Sequence, residues 1–389
     1  MTITQQGITA LLKAAITQTP QPIPEGFDLA AAFAPLKKHH MSTLLYDGAV
    51  RCGIHREEPI MQKLFQRYCR SLLVSEGQMK EFSRICAAFE ENGIDYMPLK
   101  GTNMKPRYPS PELRMMGDAD ILIRLDQYDR IIPVMEELGF WAKHESDHEL
   151  VWISGGLYVE LHKRLIPSYN KDLHPYFGDG WKFARGREGH RHFMLPDDEM
   201  IYLFTHFAKH YRDGGIGCRH VLDLWVYRRS QGKLNEPYIR AELKKLRLLE
   251  FYDNILSLLN VWFEDAPATE KTDFMTDFVF GSGSWGTADN KTLSIGVRDS
   301  HSTGAVTESK LRYLLRIAFP GVKTLREKYT ILKTHPWMLP LVWLYRPFYK
   351  FFRERDSLKK HSRAMGLLTP KNIETRHEAL NYVGLDYNF

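Results

Sequence analysis

Apolar and polar positions along the first part of the chain follow a helical spacing. Short helical patterns in the first fifty residues are separated by a proline-rich stretch at 18–26. From residue 60 to Asn92, apolar residues such as Met79, Phe82 and Phe89 recur every three or four positions. This periodicity predicts one long amphipathic helix that ends at Asn92.

Strand-like patterns follow this helix. Residues 94–99 form a short apolar run, and residues 118–125 alternate polar and apolar side chains throughout, as expected for a strand with one buried face. Two further strands are predicted at 148–153 and 157–165, and the Ser-Gly-Gly between them is typical of a hairpin turn. We expect a small mixed sheet with helices on one side.

Helical patterns surround these strands. Asp126 is a candidate N-cap for a helix that ends near Gly139. From about residue 197 the chain is again predicted to be helical. Residues 281–304 interrupt this pattern, and their Gly, Ser, Thr and Asp content predicts a long loop.

The fold class predicted from this order is α+β, with a small mixed sheet flanked by helical regions. We divide the chain into an N-terminal helical region at 1–75, a sheet core at 76–166 and a mostly helical region at 167–389. The length of 389 residues is consistent with two or three structural units.

One stretch near the C-terminus is strongly apolar and aromatic. It covers residues 337–352 and is followed by a basic stretch at 353–363. A helix lying in a membrane interface has such a pattern, but Pro340 and Pro347 interrupt it. We therefore expect residues 337–352 to pack against the protein core.

Composition narrows the class of protein. Hydrophobic residues make up 43% and aromatic residues 12% of the chain, which excludes a disordered protein. The formal charge of +6 fits an anionic partner such as a nucleotide, but is low for a dedicated nucleic-acid binder. The four cysteines lack metal-ligand spacing, and no signal peptide or membrane-spanning run is evident. We expect a cytoplasmic protein.

Asp118 and Asp120 are the most informative residues. Both lie at the start of a predicted strand, and residues two apart on a strand point to the same face. Two carboxylates so close together repel each other unless a cation neutralises them, and oxygen ligands favour Mg²⁺. A solvated aspartate pair at the entrance of the strand is the alternative.

A glycine turn precedes this strand. Lys100, Gly101 and Thr102 lie where a predicted strand ends and a helix begins. Such a turn brings backbone amides close to a phosphate, and Lys100 and Thr102 would add a positive charge and a hydroxyl group. An ordinary strand-to-helix turn would have the same sequence.

Glu160 and His162 share one face of the strand predicted at 157–165. If this strand pairs beside the strand of Asp118 and Asp120, Glu160 completes a set of three carboxylates. Enzymes of phosphoryl transfer use such a set to hold two divalent ions. An exposed Glu and His pair is the alternative.

These motifs resemble one known family. The segment from Leu99 to Ile123, LKGTNMKPRYPSPELRMMGDADILI, resembles the uncharacterised nucleotidyltransferase family of the DNA-polymerase-β-like superfamily. Gly101 and Thr102 stand at the Gly-Ser turn of that superfamily. Asp118 and Asp120 match its D-x-D motif, and Glu160 matches its third carboxylate. The resemblance extends over about residues 60–365.

The resemblance implies transfer of a nucleoside monophosphate from an NTP, such as ATP, to an unknown hydroxyl acceptor, with release of pyrophosphate. It implies two Mg²⁺ or Mn²⁺ ions held by Asp118, Asp120 and Glu160. The residues expected to bind the phosphates of the nucleotide are Lys100, Gly101, Thr102 and Arg114. For Arg114, a salt bridge to Glu112 is the alternative.

Three histidines are auxiliary candidates. His162 could orient a carboxylate or the acceptor. His206 and His210 are four residues apart on a predicted helix, a spacing that can share a metal, and the resemblance places this helix near the sheet. Contact with nucleotide or acceptor is one interpretation, and structural packing is the favoured one. Asp223 is either a buried partner of Arg219 or a substrate contact.

Two other functions stay open at this point. One is a non-catalytic nucleotide-binding or interaction protein on the same fold, and the other is a two-metal phosphohydrolase. The acceptor could be a small molecule, a sugar phosphate or a macromolecule. A nucleic-acid acceptor is not favoured, because Lys and Arg are dispersed along the chain.

Overall fold

A computed structural model describes residues 1–54, 58–284, 286–303, 315, 318–326, 329–353 and 362–387. The first part is helical, as predicted. Thr2 caps the first helix through a capping box with Gln5, and Asp28 caps the second. The N-terminal helices are α1 (Ile3–Thr17), α2 (Leu29–Lys38), α3 (Ser42–Arg51) and α4 (Pro59–Glu91).

A seven-stranded mixed sheet follows α4. Its spatial order is β3-β4-β5-β2-β1-β7-β6. The β2/β5 and β1/β7 pairs are parallel, and the other neighbouring strands are antiparallel. The strands are β1 (Tyr96–Leu99), β2 (Asp118–Ile123), β3 (Trp141–Glu145), β4 (Glu149–Ser154), β5 (Leu157–His162), β6 (Gly186–Glu188) and β7 (Arg191–Phe193).

The sheet confirms the predicted α+β class and the β4–β5 hairpin. Sequence patterns missed β3, whose five residues are exposed, and the three-residue strands β6 and β7. Strands β3 and β6 are the two edges of the sheet. The register between β3 and β4 shifts between Ala142 and His144, so β3 is also irregular.

Both faces of the sheet are covered by helices, which corrects the expectation of helices on one side. On one face, Ile121 and Ile123 pack with Phe89 of α4 and Met135 of α6 (Tyr128–Glu137). On the other face, Leu122 belongs to the large core of the remaining helices. Both faces attract helices because β2 carries apolar residues on each side beyond its two aspartates.

The remaining helices form most of the C-terminal half. They are short helices α5 (Gly101–Met104) and α7 (His174–Phe177), then α8 (Pro196–Asp213), α9 (Cys218–Ser230), α10 (Glu236–Lys245), α11 (Leu249–Phe263), α12 (Glu270–Ser282), α13 (Ala288–Thr303), α14 (Val322–Leu325), α15 (Ile331–Thr334), α16 (Leu339–Arg353) and α17 (Pro370–Tyr382). In the described part of the chain, no helix combines the length and hydropathy needed to cross a membrane.

The long loop predicted at 281–304 is wrong for most of its length. Helix α13 occupies Ala288–Thr303, and the Thr287 hydroxyl accepts a hydrogen bond from the Asn290 amide at its start (3.0 Å). A Cβ atom added to Gly296 would lie 2.8 Å from Leu368. Close packing therefore stabilises a segment of low helix propensity. Residues 285 and 304 lie outside the described residues.

One smaller expectation also needs correction, and another stays untested. Asp126 does not cap α6, because a 3₁₀ turn at Leu125–Gln127 precedes the helix and Gln127 is the N-cap. The three-region division of the chain stays a prediction. Its first boundary, at residue 75, falls inside the single long helix α4.

The apolar segment 337–352 packs on one side only. Val342 and Trp343 join Leu325 and Leu332 in a small cluster of its own, apart from the two large cores. Leu344, on the other side, is exposed. The expectation of packing against the core is thus wrong for half of this segment, because so small a cluster cannot bury both sides of the helix. Residues 354–361 of the following basic stretch lie outside the described residues.

Gly48 controls the close packing of α3 on α1. A Cβ atom at Gly48 would lie 2.1 Å from the carbonyl oxygen of Leu11. We expect Gly48→Ala to lower the free energy of unfolding by about 1–3 kcal/mol, because two backbones must move apart. Urea denaturation followed by circular dichroism measures this change.

Gly77 provides the matched control for this substitution. It is exposed on α4, and nothing lies within 4 Å of an added Cβ atom. Gly77→Ala should raise stability by up to about 1 kcal/mol through helix propensity alone. Equal effects of the two substitutions would contradict the assigned α1–α3 contact.

Candidate active site

Three carboxylates lie on one face of β2 and β5. The two strands are parallel neighbours with Asp120 beside Glu160, and alternation along β2 puts Asp118 on the same face. One ligand atom from each of Asp120, Glu160 and His162 lies within 4.8 Å of the others. The structure therefore brings together residues that are 42 positions apart in sequence.

Asp120 is the buried centre of this group. Its Oδ1 atom accepts hydrogen bonds from Lys100 Nζ (2.8 Å) and pairs with His162 Nε2 (2.7 Å). Burial alone would raise the pKa of the Asp120 carboxyl, but the Lys100 charge and the His162 hydrogen bond hold it well below its ordinary value. Asp120 is therefore ionised at neutral pH.

Lys100 reaches Asp120 from an unusual backbone conformation. Its φ of 43° lies in the left-handed region, which non-glycine residues rarely adopt. Such strain persists only where the surroundings enforce it, and it clusters at functional sites. At Lys100 the strain marks the point where β1 ends and α5 begins, directly beside the carboxylates.

Unlike Asp120, which pairs with Lys100, Asp118 pairs with no cationic side chain among the described residues. In the described part of the chain, no hydrogen bond or ion pair links its carboxylate to another side chain. Burial raises the pKa of Asp118 to about 7, and the nearby charges of Asp120 and Glu160 add to this effect. The ionised form of Asp118 thus lacks the compensation that a bound cation supplies.

The cluster of Asp118, Asp120 and Glu160 fits a hard divalent cation. The donors within 4.8 Å of one another are the carboxylate oxygens of Asp120 and Glu160 and a ring nitrogen of His162, and Asp118 adds a third carboxylate on the same face of the sheet; carboxylate oxygens are ligands that Mg²⁺ and Mn²⁺ prefer. Both contacts of Asp120 go to Oδ1, so Oδ2 is without a hydrogen bond from the described residues. His162 pairs with Asp120 and lies 3.5 Å from Glu160 Oε2, so it holds two of the carboxylates in place.

A cavity of about 500 Å³ opens over the carboxylates. Asp118, Asp120 and Glu160 form its acidic floor, which belongs to the sheet. The opposite side is formed by α8 and α9 and is rich in basic and imidazole groups. A cavity of this volume is in the range of small-molecule and cofactor sites.

Lys209, Arg219 and His220 supply the basic wall of the cavity. Lys209 is buried, and among the described residues no hydrogen bond or ion pair reaches its ammonium group. Burial and the charge of Lys100 lower the pKa of Lys209 to about 8. Nε of Arg219 and Nδ1 of His220 are buried without a hydrogen-bond partner in the described structure. An unsatisfied donor such as Arg219 Nε can be satisfied by a bound anion, and Nδ1 of the neutral His220 ring donates in one of its two tautomers.

Comparison with protein families agrees with this site. The model of an uncharacterised nucleotidyltransferase family matches residues 25–264, well over half of the chain. The chain belongs to this family. The matched range contains β2, β5, α8 and α9, and therefore both the acidic floor and the basic wall. The resemblance expected from sequence is confirmed up to residue 264, and so is the class of enzyme, while its extension from residue 265 to about 365 stays a prediction.

Other comparisons add little. The chain is similar to the antibiotic-resistance factor ANT(2'')-Ia, for which a solution structure exists, with 14% sequence identity. The alignment covers 48% of this chain and 97% of the ANT(2'')-Ia chain, and the TM-score is 0.31. A similarity of this level supports no argument about this nucleotidyltransferase. No curated protein matches the chain.

The predicted phosphate-binding residues of this nucleotidyltransferase have different surroundings. Gly101 lines the cavity, and a Cβ atom there would lie 3.2 Å from Arg114 Nη1. Thr102 is buried outside the cavity lining, and its hydroxyl donates to the Leu99 carbonyl (3.0 Å). The structure therefore does not bring the Thr102 side chain to the site, because the start of α5 uses its hydroxyl.

Arg114 lines the cavity but pairs with Asp223 rather than with Glu112. Its Nε and Nη2 atoms donate to Asp223 at 2.8 and 2.9 Å, and its Nη1 donates to the Gly101 carbonyl. Tyr108 also donates to Asp223. Asp223 is thus a partner of Arg114, while Arg219 donates to the backbone of Met115 (3.0 Å).

His206 and His210 both line the cavity. Their Nε2 atoms are 3.0 Å apart, so one imidazole donates to the other. Burial and nearby cations lower the pKa of each well below its ordinary value, and both rings are neutral at pH 7. Their position permits contact with a substrate but does not assign them one.

Sequence patterns did not single out Lys209 and His220 as site residues. Both lie within the segment 206–224, which resembles the family's helical segment after the sheet, but each also fits an ordinary helical pattern. A signal was present in the cluster of His206, Lys209, His210, Arg219 and His220 within fifteen residues. Only the packing of α8 and α9 over the sheet shows that this cluster faces the carboxylates.

Asp223 should be essential for the stability of the site. Removing one member of a buried ion pair leaves an uncompensated charge, which costs about 3–5 kcal/mol. We expect Asp223→Asn to lower the free energy of unfolding by that amount, because Arg114 is buried. Urea denaturation measures the change.

Asp253→Asn is the control for the loss of an aspartate paired with arginine. Asp253 pairs with Arg240 at 2.6 Å, but its side chain is 45% exposed. Exposed pairs contribute below about 1 kcal/mol. If both variants lost similar stability, the assigned role of the buried Arg114–Asp223 pair would be wrong.

Proposed function

We propose that this nucleotidyltransferase moves a nucleoside monophosphate from an NTP to a hydroxyl acceptor and releases pyrophosphate. The observation that carries the proposal is the cavity in which three carboxylates face a wall that carries Lys209, Arg219 and His220. An NTP bound with divalent cations matches both sides, because it combines metal ions with phosphates.

Asp118, Asp120 and Glu160 are the residues that would hold the metal ions. Two Mg²⁺ or Mn²⁺ ions there would neutralise charge on the triphosphate and on the departing pyrophosphate. Lys100 balances the charge of Asp120 and borders the floor of the cavity. His162 is a positioning residue, since it holds Asp120 and Glu160 beside each other.

Lys209 and Arg219 are the residues proposed to bind the phosphates of the donor. Lys209 offers three N–H donors and Arg219 its unpaired Nε. Gly101 permits a phosphate to approach the backbone beside Arg114, whose Nη1 atom donates to the Gly101 carbonyl (3.3 Å). The basic wall then contacts the outer phosphates, while the α-phosphate faces the carboxylates.

The proposed reaction is a displacement at the α-phosphorus. The acceptor oxygen forms a bond to this phosphorus, and the bond from the phosphorus to the oxygen that bridges to the β-phosphate breaks. The bonding electrons leave with pyrophosphate, and the acceptor proton passes to a carboxylate of the floor. Glu160 is the best placed, because its side chain is the most exposed of the Asp120, Glu160 and His162 group.

The test is incubation of the full chain with each labelled NTP, Mg²⁺ and a cell extract. Mass spectrometry of the labelled product identifies the base and the acceptor. Release of pyrophosphate with a nucleotidyl adduct is the expected result. Release of free phosphate would indicate a phosphohydrolase, and Mg²⁺-dependent NTP binding without any release would indicate a non-catalytic nucleotide-binding protein.

Substitution of the carboxylates should separate chemistry from folding. Asp118→Asn and Asp120→Asn should each lower turnover at least a hundredfold, because metal ligation at the developing charge is lost. Glu160→Gln should also be severe. Pyrophosphate release in the presence of Mg²⁺ measures the rates, and circular dichroism verifies the fold.

Asp126→Asn is the matched control for this series. Asp126 is exposed in the turn that follows β2 and lies outside the cavity lining, so its substitution should leave turnover unchanged. Normal rates in either Asp118→Asn or Asp120→Asn would remove the proposed mechanism, and normal rates in Glu160→Gln would place the third carboxylate elsewhere.

Lys209 should make phosphate affinity depend on pH. The pKa of Lys209 is about 8, so its positive charge is present below pH 8 and is lost as the pH rises further. We expect affinity for inorganic pyrophosphate, measured by calorimetry with chelator present, to fall between pH 7 and pH 9. Lys209→Met should weaken binding about tenfold or more at pH 7.

Lys209→Arg is the conservative control, because arginine stays charged throughout this range. The ratio of the wild-type and Lys209→Arg affinities cancels the ionisation of pyrophosphate itself. A ratio that does not change from pH 7 to pH 9 would show that Lys209 does not contact the phosphate.

A further inference from the structure

A stripe of large apolar side chains is exposed along α16 and the turn before it. Trp337, Leu341, Leu344 and Tyr345 are spaced by three and four residues, and each is more than half exposed. This spacing places them on one side of the helix. Val342, on the opposite side, is buried in the small cluster, so the helix is held by its other face.

Basic residues accompany this stripe. Helix α16 contains no Asp or Glu, and Arg346, Lys350 and Arg353 follow one another at helical spacing, at positions on the side of the helix opposite the stripe. Residues 310–363 hold 14 Lys and Arg but three Asp and Glu, against 53 and 47 in the whole chain. The rest of the chain is therefore net negative, and the positive charge is concentrated in the part of the sequence that contains α16.

The exposed apolar stripe and the positive charge together indicate the kind of surface to which α16 can bind. A helix with Trp, Tyr and Leu on one side and Arg and Lys nearby lies in the interface of an anionic bilayer, where aromatic rings sit at headgroup level and cations meet lipid phosphates. Single-stranded nucleic acid fits less well, because Leu341 and Leu344 cannot stack on bases.

We propose that the exposed stripe of α16 docks the enzyme on an anionic membrane surface. Leu341 and Leu344 enter the headgroup–acyl boundary, and the net positive charge of segment 310–363 attracts the negatively charged headgroups. The stripe lies outside the residues that line the catalytic cavity. Docking therefore places the active site at a membrane without using any of its groups.

The experiment is flotation of the full chain with vesicles. Phosphatidylcholine vesicles are compared with vesicles that contain about 30 mol% phosphatidylserine, at low and high salt. We expect binding to the anionic vesicles at low salt and a marked loss at high salt. The double variant Leu341→Glu/Leu344→Glu should bind at least about tenfold more weakly, because apolar burial is lost.

Leu72→Glu/Leu73→Glu on α4 is the matched control. Leu73 is 69% exposed and Leu344 is 70% exposed, and both double variants add the same charge. The control should bind vesicles as the wild type does. Nucleotide turnover in solution should be unchanged in the α16 variant, so this proposal can fail while the proposed function stands.

Three results would overturn the proposal. They are absence of vesicle binding by the wild type, equal binding by the α16 variant, and equal weakening in the α4 control. Retention of fluorescent single-stranded RNA by the wild type, in place of vesicle binding and lost in the α16 variant, would assign the stripe to nucleic acid instead.

Discussion

The parallel pairing of β2 with β5 is the constraint on which the site depends. Its register puts Asp120 directly beside Glu160, and the alternation of β2 adds Asp118 to the same face. A slip of one residue would turn these carboxylates into the apolar face that packs on α4 and α6. The apolar side chains of that face therefore fix the geometry of the catalytic side.

Buried charge at this point has to be balanced within the fold. Asp120 is balanced by Lys100 and His162, and Asp223 of α9 is balanced by Arg114. Arg114 also donates to the Gly101 carbonyl, so the turn after β1 is connected to α9 through three hydrogen bonds of Arg114, two of which belong to its ion pair with Asp223. The helical layer is thereby held over the sheet, and the cavity between them keeps its shape.

Much of this arrangement follows from local patterns. Alternation in β2, the Ser-Gly-Gly hairpin and the long periodicity of α4 each specify an element without help from the rest of the chain. Local patterns do not predict the partners of Arg114 and Lys100. These partners, Asp223 and Asp120, lie 109 and 20 residues away in the sequence. Helix α13 was missed for the same reason, since its stability comes from the close approach at Gly296 rather than from its residues.

Strand β3 affects whether copies of the enzyme can associate through their sheets. Its outer edge is open, but the register shift beside His144 and the charges of Lys143 and Glu145 interrupt the regular row of backbone donors and acceptors. The opposite edge, β6, is three residues long. Neither edge offers a template on which a neighbouring molecule could add a strand. Both edges of the sheet therefore disfavour the growth of a continuous sheet from one molecule to the next.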